Sequence, residues 1–294
     1  MRAPLFMTLL LLSGPGIALA QEGASNMTPR VDMAETSAAP QTTQTASITP
    51  AIPVVESKLA HQDIQSAYKK GDYEAVIKIA EASNTAYDLA FASHAVISQI
   101  ISYEYKSPTE ASIARAQALA EAALAIDPDQ PLARLHLATV MSLKARPMSV
   151  RQANASGYGL GARDLTRAIL ADDPKAYFAH SLLAVWHVET RRRAGGIAAS
   201  VVGAGIDKGR ESYQQALKYG ATDTSLIAWQ WARALSAYNP KKYRKEILET
   251  LELSLNTPPK DAFSEVIQTR SLKLKTYIDK TDYDSGQDYA IMML

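Results

Sequence analysis

The chain has 294 residues and nearly balanced charge: 31 Lys and Arg stand against 30 Asp and Glu, which gives a formal net charge of +1. This balance argues against a surface that binds nucleic acid throughout, and the absence of cysteine excludes disulfides, thiolate metal sites and cysteine nucleophiles. Hydrophobic residues make up 47% of the chain but aromatic residues only 7%. The length allows a sizeable core, and the low aromatic content favours packed helices over a β-sandwich.

The N-terminus has the pattern of an export signal. Arg2 precedes an apolar run over residues 5–12, a Gly-Pro-Gly break follows at 14–16, and Ala18-Leu19-Ala20 matches a signal-peptidase site. The run is shorter than the roughly 20 residues that a membrane-spanning helix needs, and no later stretch is apolar enough to span a membrane. We therefore predict a signal peptide over 1–20, cleaved near Ala20, and a Gram-negative periplasmic location. The alternative is an uncleaved membrane anchor.

Residues 21–57 differ in composition from the rest of the chain. Thr, Ser, Ala, Gln and Pro dominate, and no hydrophobic period of 2 or 3.6 residues is present. Such a segment has too little apolar bulk to offset the entropy of ordering. We predict a disordered linker over 21–57, with a tail that folds on a partner as the alternative, and one helical domain over 58–294.

Four similar segments indicate an internal repeat in the helical part. They begin at Ala123, Ile169, Ala216 and Leu253 and each combines apolar or small residues with a turn. In the first two the turn is Asp-Pro, which ends a helix because the residue before proline is disfavoured in the α region. The four starting residues are therefore predicted to occupy corresponding positions at helix crossings.

Two of these patterns resemble the tetratricopeptide repeat family. They are Gly-Asp-Tyr-Glu-Ala at 71–75 and Ala-Leu-x-x-Asp-Pro at 123–128. The likeness extends from about Leu59 to Pro258, although the spacings exceed the usual unit of about 34 residues. The resemblance implies an all-α fold, an antiparallel helix-pair solenoid whose concave groove binds peptides or proteins without catalysis.

The extra length falls in two basic insertions, residues 144–163 and 191–210, at matching points of the repeat. Each nets +4, and together they hold most of the glycines that follow the signal. Insertions at equivalent points of a repeat array tend to emerge on one face, and amides exposed by glycine beside arginines can bind anions. The sequence thus predicts a paired basic rim for an acidic peptide, a phosphate-bearing ligand or a polyanionic polymer; the alternative is two solvated loops.

Trp229 completes the predicted binding residues. It lies two positions from Trp231, so both rings cannot face the same way on a helix, and one of them is a candidate groove anchor. The alternative is half-buried packing of the ring. The predicted binding residues are Arg146, Arg151, Tyr158, Arg163, Arg191, Arg192, Arg193, Lys208, Arg210 and Trp229.

Catalytic and metal-binding motifs are lacking in the sequence. It contains no Gly-x-x-x-x-Gly-Lys-Ser/Thr, no His-Glu-x-x-His and no Gly-x-Ser-x-Gly. His180 and His187 are separated by about 10 Å along a helix, too far to share a metal ion. We predict no catalytic residue, no metal site and no cofactor, and hence a protein that is not an enzyme.

Two functions follow from these expectations. The first is a scaffold or adaptor of the cell envelope that binds another protein or peptide of acidic character. The alternative is a periplasmic small-molecule-binding protein of a solute-uptake system, with an apolar cavity to which Ile197–Val202 contribute. The concave face separates them, because an open groove fits a peptide and a closed apolar pocket fits a small ligand.

Overall fold

The computed structural model describes residues 54–103 and 108–293, and the side chains from residue 61 onward. Within these ranges the protein is all-α, with thirteen α-helices, one short 3-10 turn and no strand. The predicted signal peptide lies outside the described residues, and so does the linker up to residue 53. The first helix begins at Val54, inside the segment predicted as linker.

Thirteen helices follow one another with short connections. They are α1 (Val54–Lys69), α2 (Tyr73–Ser83), α3 (Ala86–Tyr103), α4 (Glu110–Ile126), α5 (Pro131–Ala145), α6 (Val150–Ala155), α7 (Tyr158–Asp172), α8 (Tyr177–Val201), α9 (Ile206–Tyr219), α10 (Thr224–Tyr238), α11 (Arg244–Asn256), α12 (Ala262–Asp279) and α13 (Tyr283–Met292).

Both Asp-Pro pairs end a helix. Asp127 terminates α4 with φ −135° and ψ 99°, and Asp173 terminates α7 with φ −131° and ψ 95°. These extended conformations are those that a following proline favours. After the first pair, the Gln130 side chain accepts a hydrogen bond from the Leu132 amide and so caps α5, whose first residue is a proline.

One of the four repeat positions is wrong. Ala123, Ile169 and Ala216 are buried, as a helix crossing requires, whereas Leu253 is 37% exposed. In α11 the buried face is set by Leu251 and Ser254. Leu253 lies two residues from Leu251, about 200° around the helix, and therefore points away from the core.

The two insertions are largely helical instead of open loops. The first comprises the end of α5, all of α6 and the start of α7; the second comprises the later part of α8 and the start of α9. A capping box between Ser149 and Gln152 starts α6. Within α8 the helical path is broken at Gly195, which has φ 75° and ψ 176°. Gly195 thus changes the direction of a helix instead of forming a loop. Glycine content alone therefore does not distinguish a loop from a bent helix.

The helices pack in sequence order, and the last ones return to the first. α10 lies at the centre, in contact with α8, α9, α11, α12 and α13. α12 also packs on α1 and α3, where the buried Arg270 guanidinium donates to the Ile101 carbonyl. Helices from both ends of the domain thereby contact each other.

A search of the described residues for membrane-spanning helices finds none with sufficient length and apolar character.

Candidate functional site

A cavity of about 350 Å³ lies inside the helical domain. Four helices supply most of its wall, each through residues three or four positions apart, which share one helix face. The stripes comprise His94, Ile97, Ser98 and Ile101 of α3; Leu135, His136, Thr139, Ser142 and Leu143 of α5; Phe178, Leu182, Val185, Trp186 and Glu189 of α8; and Leu226, Gln230 and Arg233 of α10. The volume falls in the range typical of small-ligand sites.

Most of this wall is aliphatic or aromatic. Leu160 of α7, Phe263 of α12 and Ile291 of α13 add to the apolar stripes. An apolar wall with a few convergent polar groups is the usual make-up of a site for a small organic molecule, since the wall supplies affinity and the polar groups fix orientation.

Four arginines converge on the cavity around a single carboxylate. Arg192 binds Glu189 through Nε at 2.9 Å and Nη2 at 2.7 Å, and Arg233 Nη1 lies 3.7 Å from the other oxygen of Glu189. Arg146 and Arg193 also line the cavity. These four guanidiniums and one carboxylate leave a local excess of three positive charges.

Backbone carbonyls hold two of these guanidiniums, those of Arg146 and Arg193, in place. Arg146 Nη2 donates to the carbonyls of Met292 and Met293, both at 3.0 Å, at the C-terminal end of α13. Arg193 Nη1 donates to the Ala145 carbonyl at 3.2 Å, at the end of α5. Carbonyls at helix C-termini lack partners within their helix and carry partial negative charge, so they position cations well.

Burial is the main cause of the lowered pKa values in this cluster. Burial, and then the neighbouring Arg233, lower the pKa of Arg146 to about 10. Burial also lowers the pKa of Arg193 and of Arg233, with Arg192 acting in the same direction. A bound anion would offset the mutual repulsion of these guanidiniums.

Two stacked histidines mark a second polar region of the wall. The His94 and His136 rings stack with centroids 5.1 Å apart, and the Tyr68 hydroxyl lies 2.9 Å from His94 Nε2 and 2.9 Å from Ser98 Oγ. Burial lowers the pKa of His94 to about 4 and lowers that of His136 well below its usual value. Both imidazoles are therefore neutral. His136 and Arg146 are ten residues apart on α5, about 15 Å along its axis. The histidines and the arginines therefore lie at different ends of the cavity.

The sequence-predicted residues divide between the cavity and its surroundings. Arg146, Arg192 and Arg193 line the cavity. Arg163 donates to the Val202 carbonyl at 3.1 Å and lies 5.4 Å from the Trp186 ring. Because Arg193 reaches Ala145 and Arg163 reaches Val202, the two insertions lie against each other.

Other predicted residues are engaged locally or exposed. Arg191 donates to the Gly196 carbonyl at 3.0 Å, and Lys208 donates to the Gly203 carbonyl at 3.2 Å. Arg210 pairs with Glu246 and Asp207, the Tyr158 ring lies 5.5 Å from Lys144 Nζ, and Arg151 is exposed. Several arginines predicted to face an acidic partner thus bind the protein's own backbone.

Trp229 is not a groove residue, which corrects its predicted role. Its side chain is fully buried and is not part of the cavity wall. The reason is the central position of α10, which is covered on several sides, so that Trp229 and Trp231 are both buried although they point in different directions. Trp186 of α8 is the tryptophan that lines the cavity.

Sequence reasoning missed Glu189, Arg233, His94 and His136. Arg233 offered a signal, because it stands between Ala232 and Ala234 in an apolar helix where a charge requires a buried partner. Its partner Glu189 lies on a different helix, so this pairing can be recognised only from the tertiary structure.

Comparisons of the chain with protein families, curated proteins and solved structures find no match. Within the described part of the chain, no group of three or more His, Asp or Glu side chains is arranged to hold a metal ion.

Proposed function

We propose that this protein binds a small apolar molecule that carries an anionic group. The observation behind this proposal is the cavity of about 350 Å³, whose wall is apolar but in which four arginines face one carboxylate. The apolar body of the ligand would occupy the space between α3, α5, α8 and α10, and its anion would bind at Arg146, Arg192 and Arg233. Hydrogen bonds between charged partners are about twice as strong as neutral ones, which would orient the ligand.

The make-up of the cavity favours this function over a scaffold that binds an acidic protein. Its wall is mostly apolar and is supplied by helices from both ends of the domain, which suits the body of a small organic molecule. Arg193 is also held by backbone carbonyls instead of being presented to a partner.

We further propose that the helices form an array of tetratricopeptide-like pairs. The signal-like start supports an exported, periplasmic protein. Ser98 bonds to Tyr68 and not to either histidine, which is an arrangement for positioning rather than for nucleophilic attack.

Matched ligands can test the requirement for an anion. Octanoate and octanol share an alkyl chain and differ in charge, and Trp186 in the cavity wall provides a fluorescence signal for binding. We expect octanoate to bind at least about tenfold more tightly than octanol, because a charge-assisted hydrogen bond contributes roughly 1.5–3 kcal/mol. Equal affinity for both compounds, or binding of neither, would contradict the proposal.

A pair of variants locates the site. Arg192→Gln removes a cavity guanidinium that has no backbone acceptor in the described residues, and it should weaken octanoate binding by about 10–100-fold. Arg151→Gln removes an exposed arginine of the other insertion and should leave the affinity unchanged. Titration calorimetry of both variants with octanoate distinguishes binding in the cavity from attraction to general surface charge. Attraction to surface charge predicts equal losses of affinity in the two variants.

A further inference from the structure

One short stretch of the cavity wall is built differently from the rest. The segment Gly196–Val202, here called the lid, lies between two glycines with positive φ, Gly195 at 75° and Gly203 at 77°. Ala198 and Val202 of the lid line the cavity. Glycine is needed at both boundaries because a residue with a side chain rarely adopts such φ values.

Two aliphatic side chains of the lid are exposed to solvent. Ile197 is 87% exposed and Val201 is 83% exposed, more than any other large hydrophobic side chain among those described. They are four residues apart and so lie side by side on the helical segment. The lid therefore carries an exposed aliphatic pair as well as residues of the cavity wall.

Three cations donate to carbonyl groups at the two ends of the lid and at the adjoining Gly203. Arg191 of α8 donates to Gly196 at 3.0 Å, Arg163 of α7 donates to Val202 at 3.1 Å, and Lys208 of α9 donates to Gly203 at 3.2 Å. The nearby carboxylate of Asp164 pairs with Arg163 at 2.6 Å. The aliphatic pair is therefore surrounded by positive side chains at both ends.

We propose that this face binds an anionic lipid surface and that the lid opens there. Ile197 and Val201 would insert into the interfacial region, and lipid phosphates would attract Arg191, Arg163 and Lys208 away from the lid carbonyls. Aliphatic side chains flanked by Lys and Arg are the usual composition of an interfacial membrane contact. Opening at a membrane would also bring the cavity to the place where anionic apolar molecules accumulate.

A lipid surface fits this patch better than a protein does. Stable protein interfaces bury about 800 Å² on each partner and rely on aromatic or arginine anchors in well-packed pockets. Here two aliphatic side chains project from the surface and the arginines are already bound to carbonyls. Few inserted side chains suffice at a bilayer because the anionic headgroups add long-range attraction.

Co-sedimentation with lipid vesicles tests the docking step. The full-length protein should bind vesicles of phosphatidylcholine and phosphatidylglycerol in equal parts, and bind phosphatidylcholine alone about tenfold more weakly. The double variant Ile197→Ser/Val201→Ser should lose about tenfold or more in partitioning. Leu272→Ser on α12 is the control, since Leu272 is 58% exposed outside this patch, and it should bind as the wild type does. Absence of binding, equal binding to both vesicles, or loss in the control alone would overturn the proposal.

Amide hydrogen exchange tests whether the lid opens. Of the two steps, docking and opening, only opening rests on the proposed function. Amides of residues 196–204 should exchange several-fold faster with anionic vesicles than without them, while those of α10 stay protected. Unchanged exchange in vesicle-bound protein would refute the lid. The serine double variant should bind octanoate as the wild type does, because both replaced side chains point away from the cavity. Failure of octanoate to bind any form would refute the proposed function while leaving vesicle binding as a separate result.

Discussion

Single residues set the geometry of the cavity wall. Gly195 has φ 75° and ψ 176°, a conformation that is essentially restricted to glycine, and a Cβ added there would meet no atom within 4 Å. Its neighbour Gly196 lacks a positive φ, and a Cβ there would lie in ordinary contact, 3.5 Å from the Arg191 guanidinium. Comparing substitutions at the two positions therefore separates the effect of backbone conformation on stability from the effect of the space available for a side chain.

We expect Gly195→Ala to lower the free energy of unfolding by about 1–3 kcal/mol, because it forces a strained backbone in spite of the open space. Gly196→Ala should be neutral or slightly stabilising, since alanine favours helix more than glycine does. Chemical denaturation of both variants provides the measurement. Similar effects at the two sites would show that the break at Gly195 does not depend on positive φ.

At the scale of elements, small side chains allow the helices to approach closely. Ala116, Ala120 and Ala123 of α4 are fully buried, and the buried Ser93 hydroxyl of α3 donates to the Ala116 carbonyl at 2.8 Å. Such a hydrogen bond between helices requires their backbones to lie near each other, which alanine permits.

Ala123→Arg should destabilise the protein by about 3–5 kcal/mol, because a buried position would have to accept a large unpaired charge. Ala122→Arg is the matched control, since Ala122 is the exposed residue next to it on α4, and a surface substitution usually changes stability by no more than about 0.5 kcal/mol. Melting temperatures of the two variants check this. A tolerated Ala123→Arg would contradict the helix crossing.

Local features of the fold could be predicted from sequence. The Asp-Pro pairs at 127–128 and 173–174 end helices as expected, because proline restricts the preceding residue whatever the tertiary structure is. Leu253 was misassigned because its Thr-Pro turn resembles the other turns while the buried face of α11 is set by its neighbours. Whether the glycine-rich insertions are loops could not be predicted, since composition does not show whether glycine interrupts a helix or replaces it.

The position and lining of the cavity could not be predicted from the single sequence. The charge of Arg146, Arg192 and Arg193 is evident in the sequence, but their place in one cavity wall with Glu189 and Arg233 arises from the packing of α5, α8 and α10. Neutral histidines such as His136 likewise give no sequence signal, because burial against α3 is what changes their chemistry.

At the scale of the whole molecule, buried histidines link stability to pH. Burial lowers the pKa of His94 and His187 to about 4 and lowers that of His136 as well, whereas an unfolded histidine titrates near 6.5. Between these values the unfolded chain binds more protons than the folded one, so stability is fully present above about pH 6.5 and falls as pH decreases toward 4.

We expect the double variant His94→Gln/His136→Gln to lose less stability than the wild type between pH 6.5 and 4. Each buried histidine contributes a slope of up to about 1.4 kcal/mol per pH unit. Denaturant titrations at several pH values measure this slope, and carboxylates that titrate in the same range contribute to both proteins. Identical slopes would show that these imidazoles accept protons without unfolding.

The return of the last helices to the first also has a consequence for folding. Arg270 bonds to a residue 169 positions earlier in the chain, and Arg146 bonds to one 146 positions later. Neighbouring helices can pair locally, but these contacts form only when distant parts of the chain meet. Phe263 and Ile291 complete the cavity wall, so a partly folded chain lacks a finished cavity. If the proposed function holds, a ligand present during folding would favour the complete fold over its partly folded precursors.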